Sequence, residues 1–167
     1  KEDIEIIGAS RTDSGVHAYG NIAVFDTNSR IPAEKFAIGL NHYLPDDIRV
    51  QKSDEVEPDY HPRYRNTEKT YEYTILNTKI NLPIYSRYSY HVYHPLDFEA
   101  MKEAAELLVG EHDFSAFCSA GSQVKSKVRT IYEVSLDKQK VMGCNGGDLI
   151  RIRVRGNGFL YNMVRII

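Results

Sequence analysis

The chain has 167 residues, 42% of them hydrophobic, which is enough for one sizeable core or two small ones and argues against disorder. Its 21 Lys and Arg stand against 23 Asp and Glu, so a net charge of -2 does not by itself announce a nucleic-acid partner. No apolar run approaches the roughly 20 residues that span a bilayer, and residues 1–7 lack the pattern of a secretory signal; together with two cysteines, Cys118 and Cys144, that show no CxxC spacing, this predicts a cytoplasmic protein with free thiols.

In chain order, residues 4–8 read as an apolar strand, followed by a polar, glycine-bearing loop over 10–20 and a second strand over 21–27. Pro32 suits the first turn of a helix over residues 32–43, with Phe36, Ala37, Leu40 and Leu44 at helical spacing, and Pro45 marks its end. A strand is expected at 48–52. Residues 70–77 alternate Tyr71, Tyr73 and Ile75 against Glu72, Thr74 and Leu76, the pattern of a half-buried strand, with 87–93 as its partner. Asp97 can cap a helix whose apolar stripe is Phe98, Met101, Ala105 and Leu108, and Gly110 suits the position just past its end. Residues 128–138 and 148–155 read as a long hairpin around a glycine-rich turn, and a last helix is expected to start near Gly158. The order strand, helix, strand, recurring roughly twice, points to an α+β fold with a mixed or antiparallel sheet.

The densest chemical signal is the string Gly8-Ala9-Ser10-Arg11-Thr12-Asp13-Ser14-Gly15-Val16-His17-Ala18. Asp13-Ser14-Gly15 alone is an ordinary surface turn, since Asp and Gly are favoured in turns for local reasons. Two further strings stand out: Tyr60-His61-Pro62-Arg63-Tyr64 followed by Lys69-Thr70-Tyr71-Glu72-Tyr73, and Gly156-Asn157-Gly158-Phe159-Leu160-Tyr161-Asn162-Met163-Val164-Arg165. All three, in this order, resemble the signature segments of TruA-type tRNA pseudouridine synthases; Gly110-Glu111-His112-Asp113-Phe114-Ser115-Ala116-Phe117 and Arg129-Thr130-Ile131 add weaker likeness. Members of that family carry an additional strand, helix and Tyr-x-Gly-Trp-type motif before the first string and a further segment after the last. Neither occurs here, and the chain has no Trp, so it is expected to be a piece of a longer protein.

The resemblance implies the pseudouridine synthase fold: a mixed or antiparallel sheet flanked by helices, in two similar lobes around a central RNA-binding cleft. Lobe boundaries are expected at 1–63 and 64–167. It also implies isomerisation of uridine on the 3′ side of the tRNA anticodon stem and loop, by a homodimer and without a cofactor. Asp13 would be the catalytic carboxylate, as nucleophile or as base. Arg165 would keep it ionised, Tyr71 would stack on the uracil, and Arg11 would fill the space that the everted base leaves. Tyr73, two residues along, is expected to pack as core.

Arg151, Arg153 and Arg155 share one strand face and could track phosphates, or form a solvated outer face; Lys125, Lys127 and Arg129 could follow an RNA backbone from a loop, or be ordinary surface charges. His17, His42, His61, His91, His94 and His112 lack ligand spacing, so no metal is expected. Two rival functions stand beside the synthase: an RNA-binding or dimer-forming module without catalysis, and a glycoside hydrolase, which would want a second placed carboxylate.

Overall fold

The computed structural model describes residues 2–10, 12–63, 68–121, 124–143 and 146–167. They fall into two compact units, residues 1–65 and 66–167.

In the first unit, β1 (Ile7–Gly8) pairs antiparallel with β2 (Ala23–Val24), Ile7 opposite Val24. A 3-10 turn at Ala33–Lys35 leads into α1 (Phe36–Tyr43). No neighbouring side chain caps this helix; the Ala37 N–H instead donates to the hydroxyl of Ser53, at 2.8 Å. Phe36 meets Phe25 edge to face, with centroids 5.6 Å apart. The strand expected at 48–52 does not form. Val50 finds its hydrogen bonds in the Asn41 side chain, which accepts from its N–H and donates to its carbonyl at 2.8 Å each, so this stretch needs no partner strand. The outer strands also form only in part: two residues of 4–8 and two of 21–27 are paired.

The second unit is built on a five-stranded mixed sheet in the order β4-β3-β7-β6-β5. Its strands are β3 (Lys69–Asn77), β4 (Tyr90–Val92), β5 (Gly110–Asp113), β6 (Val128–Lys140) and β7 (Asp148–Gly156). The sequence hairpin is the centre of this sheet: β6 and β7 pair from Ile131 opposite Gly156 to Lys140 opposite Asp148, with one register shift between Ile131 and Glu133. Val141 N–H donates to the Gly147 carbonyl across the turn, where Gly143, Gly146 and Gly147 all have positive φ. β4 is shorter than the sequence implied and runs parallel to β3; the Asn77 amide holds the following segment by donating to the carbonyls of Val92 and His94.

α2 (Phe98–Glu106) begins at Asp97, whose carboxylate accepts the Ala100 N–H at 3.1 Å. Phe98, Met101 and Ala105 are its sheltered residues, as their spacing predicted, and Leu108 is sheltered just past its end. The helix ends before Leu107, however, and Gly110, at φ 116°, opens the edge strand β5 instead of terminating the helix. The core gathers Phe114, Ile131, Val154, Leu160 and Met163, all at most 5% exposed. Burying each such side chain contributes about 1.5–3 kcal/mol. The last helix, α3 (Met163–Ile166), starts five residues later than expected, because Asn162 at φ 60° turns the chain out of helical geometry immediately before it.

Candidate active-site elements

In the first unit, the loop between β1 and β2 is closed at its base by Ala9 N–H donating to the Ile22 carbonyl, at 2.8 Å. At its tip Val16 N–H donates to the Asp13 carbonyl, and Gly15 takes φ 80° at the third position of this four-residue turn. A type II turn requires a positive φ there, which explains the glycine. Thr12 and residues 14–23 are exposed while Asp13 alone among residues 12–23 is half-buried, so the turn withdraws one carboxyl-bearing residue from water. The second sequence string braces the same loop: the Arg63 guanidinium donates through Nε to the Gly8 carbonyl at 2.8 Å, and Pro62 beside it is buried. Arg11 lies outside the described residues, and so does Tyr64.

In the second unit, Tyr71 sits on β3 opposite Val154 and is half-buried, its ring edge-to-face with Phe159 at 5.1 Å and 86°. Phe159 belongs to the third string, which is fastened to the sheet in two ways. Asn157 continues the β6–β7 ladder: its N–H donates to the Thr130 carbonyl and its side-chain oxygen accepts the Thr130 N–H, both at 3.1 Å. Leu160 and Met163 then enter the core. The string therefore anchors its apolar members inside and leaves Arg165, on α3, exposed. Arg129-Thr130-Ile131 and the Gly156-Asn157 turn, separate in sequence, are one clasp in space.

Gly110-Glu111-His112-Asp113-Phe114-Ser115-Ala116-Phe117 supplies structure. Phe114 is a core residue flanked edge to face by His112 and Phe117. The Asp113 carboxylate accepts from the hydroxyl and N–H of Ser115, which hold its pKa below the usual carboxylate range.

Each β7 arginine is paired. Arg153 bonds Glu72 at 3.0 Å, Arg151 lies 3.5 Å from Asp137 and 4.0 Å from Glu72, and Arg155 reaches Glu68 at 2.6 Å and Glu133 at 3.4 Å. Among the described residues these three guanidiniums thus face four carboxylates, a pairing that suits a solvated outer face better than a phosphate track. The Glu68 carboxylate, foremost among its partners, holds the Arg155 pKa above its ordinary value. Lys125 and Lys127 are exposed, whereas Arg129 turns one guanidinium nitrogen back onto the carbonyls of Ser126 and Val128. Among the described residues no cluster of three His, Cys, Asp or Glu is arranged to hold a metal, and no helix is long and apolar enough to cross a membrane.

The sequence strings contained Asn157 and Asn162 without disclosing what they hold in place: Asn157 clasps Thr130 and Asn162 bonds Ser119. Glycine on either side of Asn157, with no room for a side chain at Gly156, was the one local hint of a close approach.

Comparison with known proteins agrees with these motifs. The family described as tRNA pseudouridine synthase matches residues 1–65 and 104–167. A protein named tRNA pseudouridine synthase A from Thermoanaerobacter sp. (strain X514) is 48% identical over 166 residues, covering 99% of this chain and 65% of the relative. Its namesake from Clostridium botulinum (strain Eklund 17B / Type B) is 50% identical over 160 residues, covering 96% and 63%. A protein named tRNA pseudouridine synthase A 2 from Clostridium perfringens (strain 13 / Type A) is 48% identical over 167 residues, covering all of this chain and 66% of the relative. The chain thus spans about 65% of the length of the curated relatives it matches. With the motifs, their placement and these matches in agreement, the chain belongs to the tRNA pseudouridine synthase family, in the TruA-type branch that its motifs resemble.

Proposed function

We propose that the chain carries the catalytic core of an enzyme that isomerises uridine to pseudouridine in the anticodon stem and loop of tRNA, with Asp13 as the catalytic carboxylate. The observation that carries this reading is the turn of the first string, which half-buries Asp13 alone among residues 12–23, in a chain of this family. In the reaction the bond between ribose C1′ and uracil N1 breaks, the base turns, and C5 bonds to C1′; C5 loses a proton and N1 gains one. No redox equivalent or external energy is consumed, so a placed carboxylate and a way to hold the base meet the chemical need. Asp13 either adds covalently to the sugar-base junction or accepts a proton from the sugar.

A carboxylate enclosed beside a base is costly to keep ionised without a cationic partner, and the resemblance gives that part to Arg165. Tyr71, braced by Phe159, is assigned to stack on the everted uracil, and Arg11 to occupy the space the base leaves. Lys125 and Lys127 are assigned to the RNA backbone; Arg129 supports their loop through its own hydrogen bonds. Arg151, Arg153 and Arg155 could join them only by exchanging carboxylates for phosphates. The working form is proposed to be a cytoplasmic homodimer, each subunit with two similar lobes, divided here at 1–63 and 64–167, around the cleft that takes the tRNA.

The test is to incubate unmodified tRNA with the intact protein and map pseudouridine along the RNA. Pseudouridine confined to the 3′ side of the anticodon arm, and at least about a hundredfold less with Asp13→Ala, is the expected result. Unchanged modification by the variant would remove Asp13 from the chemistry. Binding of tRNA with no modification by the unsubstituted protein would favour the non-catalytic RNA-binding module.

A further inference from the structure

Among the described residues Asn162 is the one residue other than glycine with positive φ, at φ 60° and ψ 8°. Its side-chain oxygen is buried without a hydrogen-bond partner among those residues. Both features are unfavourable, and such features persist where the surroundings require them. Glycine would adopt the same backbone at no steric cost and leave no oxygen stranded. What asparagine adds is its other side-chain atom: Nδ2 donates to the Ser119 hydroxyl at 3.1 Å. Beside it, Ser119 N–H donates to the Tyr161 carbonyl, also at 3.1 Å, so the turn at 161–162 is tied twice to a residue some 40 positions earlier in the chain.

The consequence falls on Arg165. The Asn162 carbonyl accepts the Arg165 N–H at 3.0 Å and the Ile166 N–H at 3.2 Å, so the arginine backbone hangs directly on this residue. α3 has only four residues, and a helix that short holds no position by itself. Met163 fixes one side of it by entering the core at 0% exposure; the left-handed turn then determines where the exposed Arg165 projects.

We infer that Asn162, locked by Ser119, is a positioning residue for Arg165 in the isomerisation proposed above, on which this inference rests. It does not touch the reacting atoms. It sets where the arginine projects from α3, and in the proposed reaction a misplacement of about 1 Å at a reacting centre can cost on the order of a hundredfold in rate.

The experiment compares the intact protein with Asn162→Gly, Ser119→Ala, Ser119→Thr and the Asn162→Gly/Ser119→Ala double variant, reading kcat, KM for tRNA and thermal midpoint, with Asp13→Ala in the same assay. Asn162→Gly keeps the backbone turn and Ser119→Thr keeps the hydroxyl. The expected result is a fall in kcat of roughly tenfold or more for Asn162→Gly and for Ser119→Ala. KM should be unchanged, Ser119→Thr should retain activity, and the double variant should be no slower than either single one, as for residues acting as one unit. Turnover that is abolished by Asp13→Ala yet keeps its kcat in Asn162→Gly and Ser119→Ala would overturn this inference alone. So would losses that only follow the thermal midpoint. No turnover by the unsubstituted protein, or full turnover by Asp13→Ala, would overturn the proposed function and this inference with it.

Discussion

A methyl group added at Gly156 would sit 2.8 Å from the Thr130 carbonyl oxygen, which cannot withdraw without opening the clasp to Asn157, and 3.1 Å from Cδ1 of the buried Ile131. Gly156→Ala should therefore lower stability by about 1–3 kcal/mol, visible as an earlier urea midpoint with an unchanged slope. Asp113 gives a second residue-level expectation. Its carboxyl has a pKa lowered in the folded state by Ser115, so the stability it contributes is present above the unfolded-state pKa and lost as pH falls through the folded value. Ser115→Ala should raise the Asp113 pKa toward the ordinary carboxylate range in an NMR titration, and an unmoved titration would contradict that cause. At this scale the Asp13 turn was legible, because turn chemistry is written in adjacent residues such as Ser14 and Gly15. The Asn41–Val50, Asn157–Thr130 and Asn162–Ser119 bonds were not legible, because each joins a side chain to a partner that only the folded chain brings near.

The alternation along β7 was read correctly, with Ile150, Ile152 and Val154 sheltered on one face and the arginines on the other. Whether those arginines were available to phosphate depended on what β3 and β6 place beside them, and strand register is a tertiary fact. Register sets Glu72 opposite Arg153, Glu133 opposite Arg155 and Asp137 opposite Arg151. These are surface pairs worth at most about 1 kcal/mol each. Arg153→Gln should therefore change stability by no more than that and leave the salt dependence of tRNA binding as it was. A salt slope smaller by about one would instead return Arg153 to the RNA backbone. Helices show the same division. α2 was legible from its cap and stripe, whereas α3 began late because Asn162 occupies a left-handed conformation that asparagine permits but does not announce.

For the molecule as a whole, the α+β class and the central hairpin followed from periodicity, and the structure adds the order β4-β3-β7-β6-β5 with a parallel β3–β4 pair. The expected strand at 48–52 failed because a side chain took over its hydrogen bonds, and β5 escaped notice because Glu111, His112 and Asp113 carry no apolar alternation. Family membership rests on motifs distributed over both units, so the central claim is chemical: one carboxylate, Asp13, drives exchange at uridine C5. The most direct measurement is release of tritium from tRNA labelled at uridine C5, by the intact protein and by its Asp13→Asn variant, which keeps the shape of the side chain and removes its charge. The account predicts release by the first and a loss of at least about a hundredfold by the second. Equal release by both, or none by either, would contradict it.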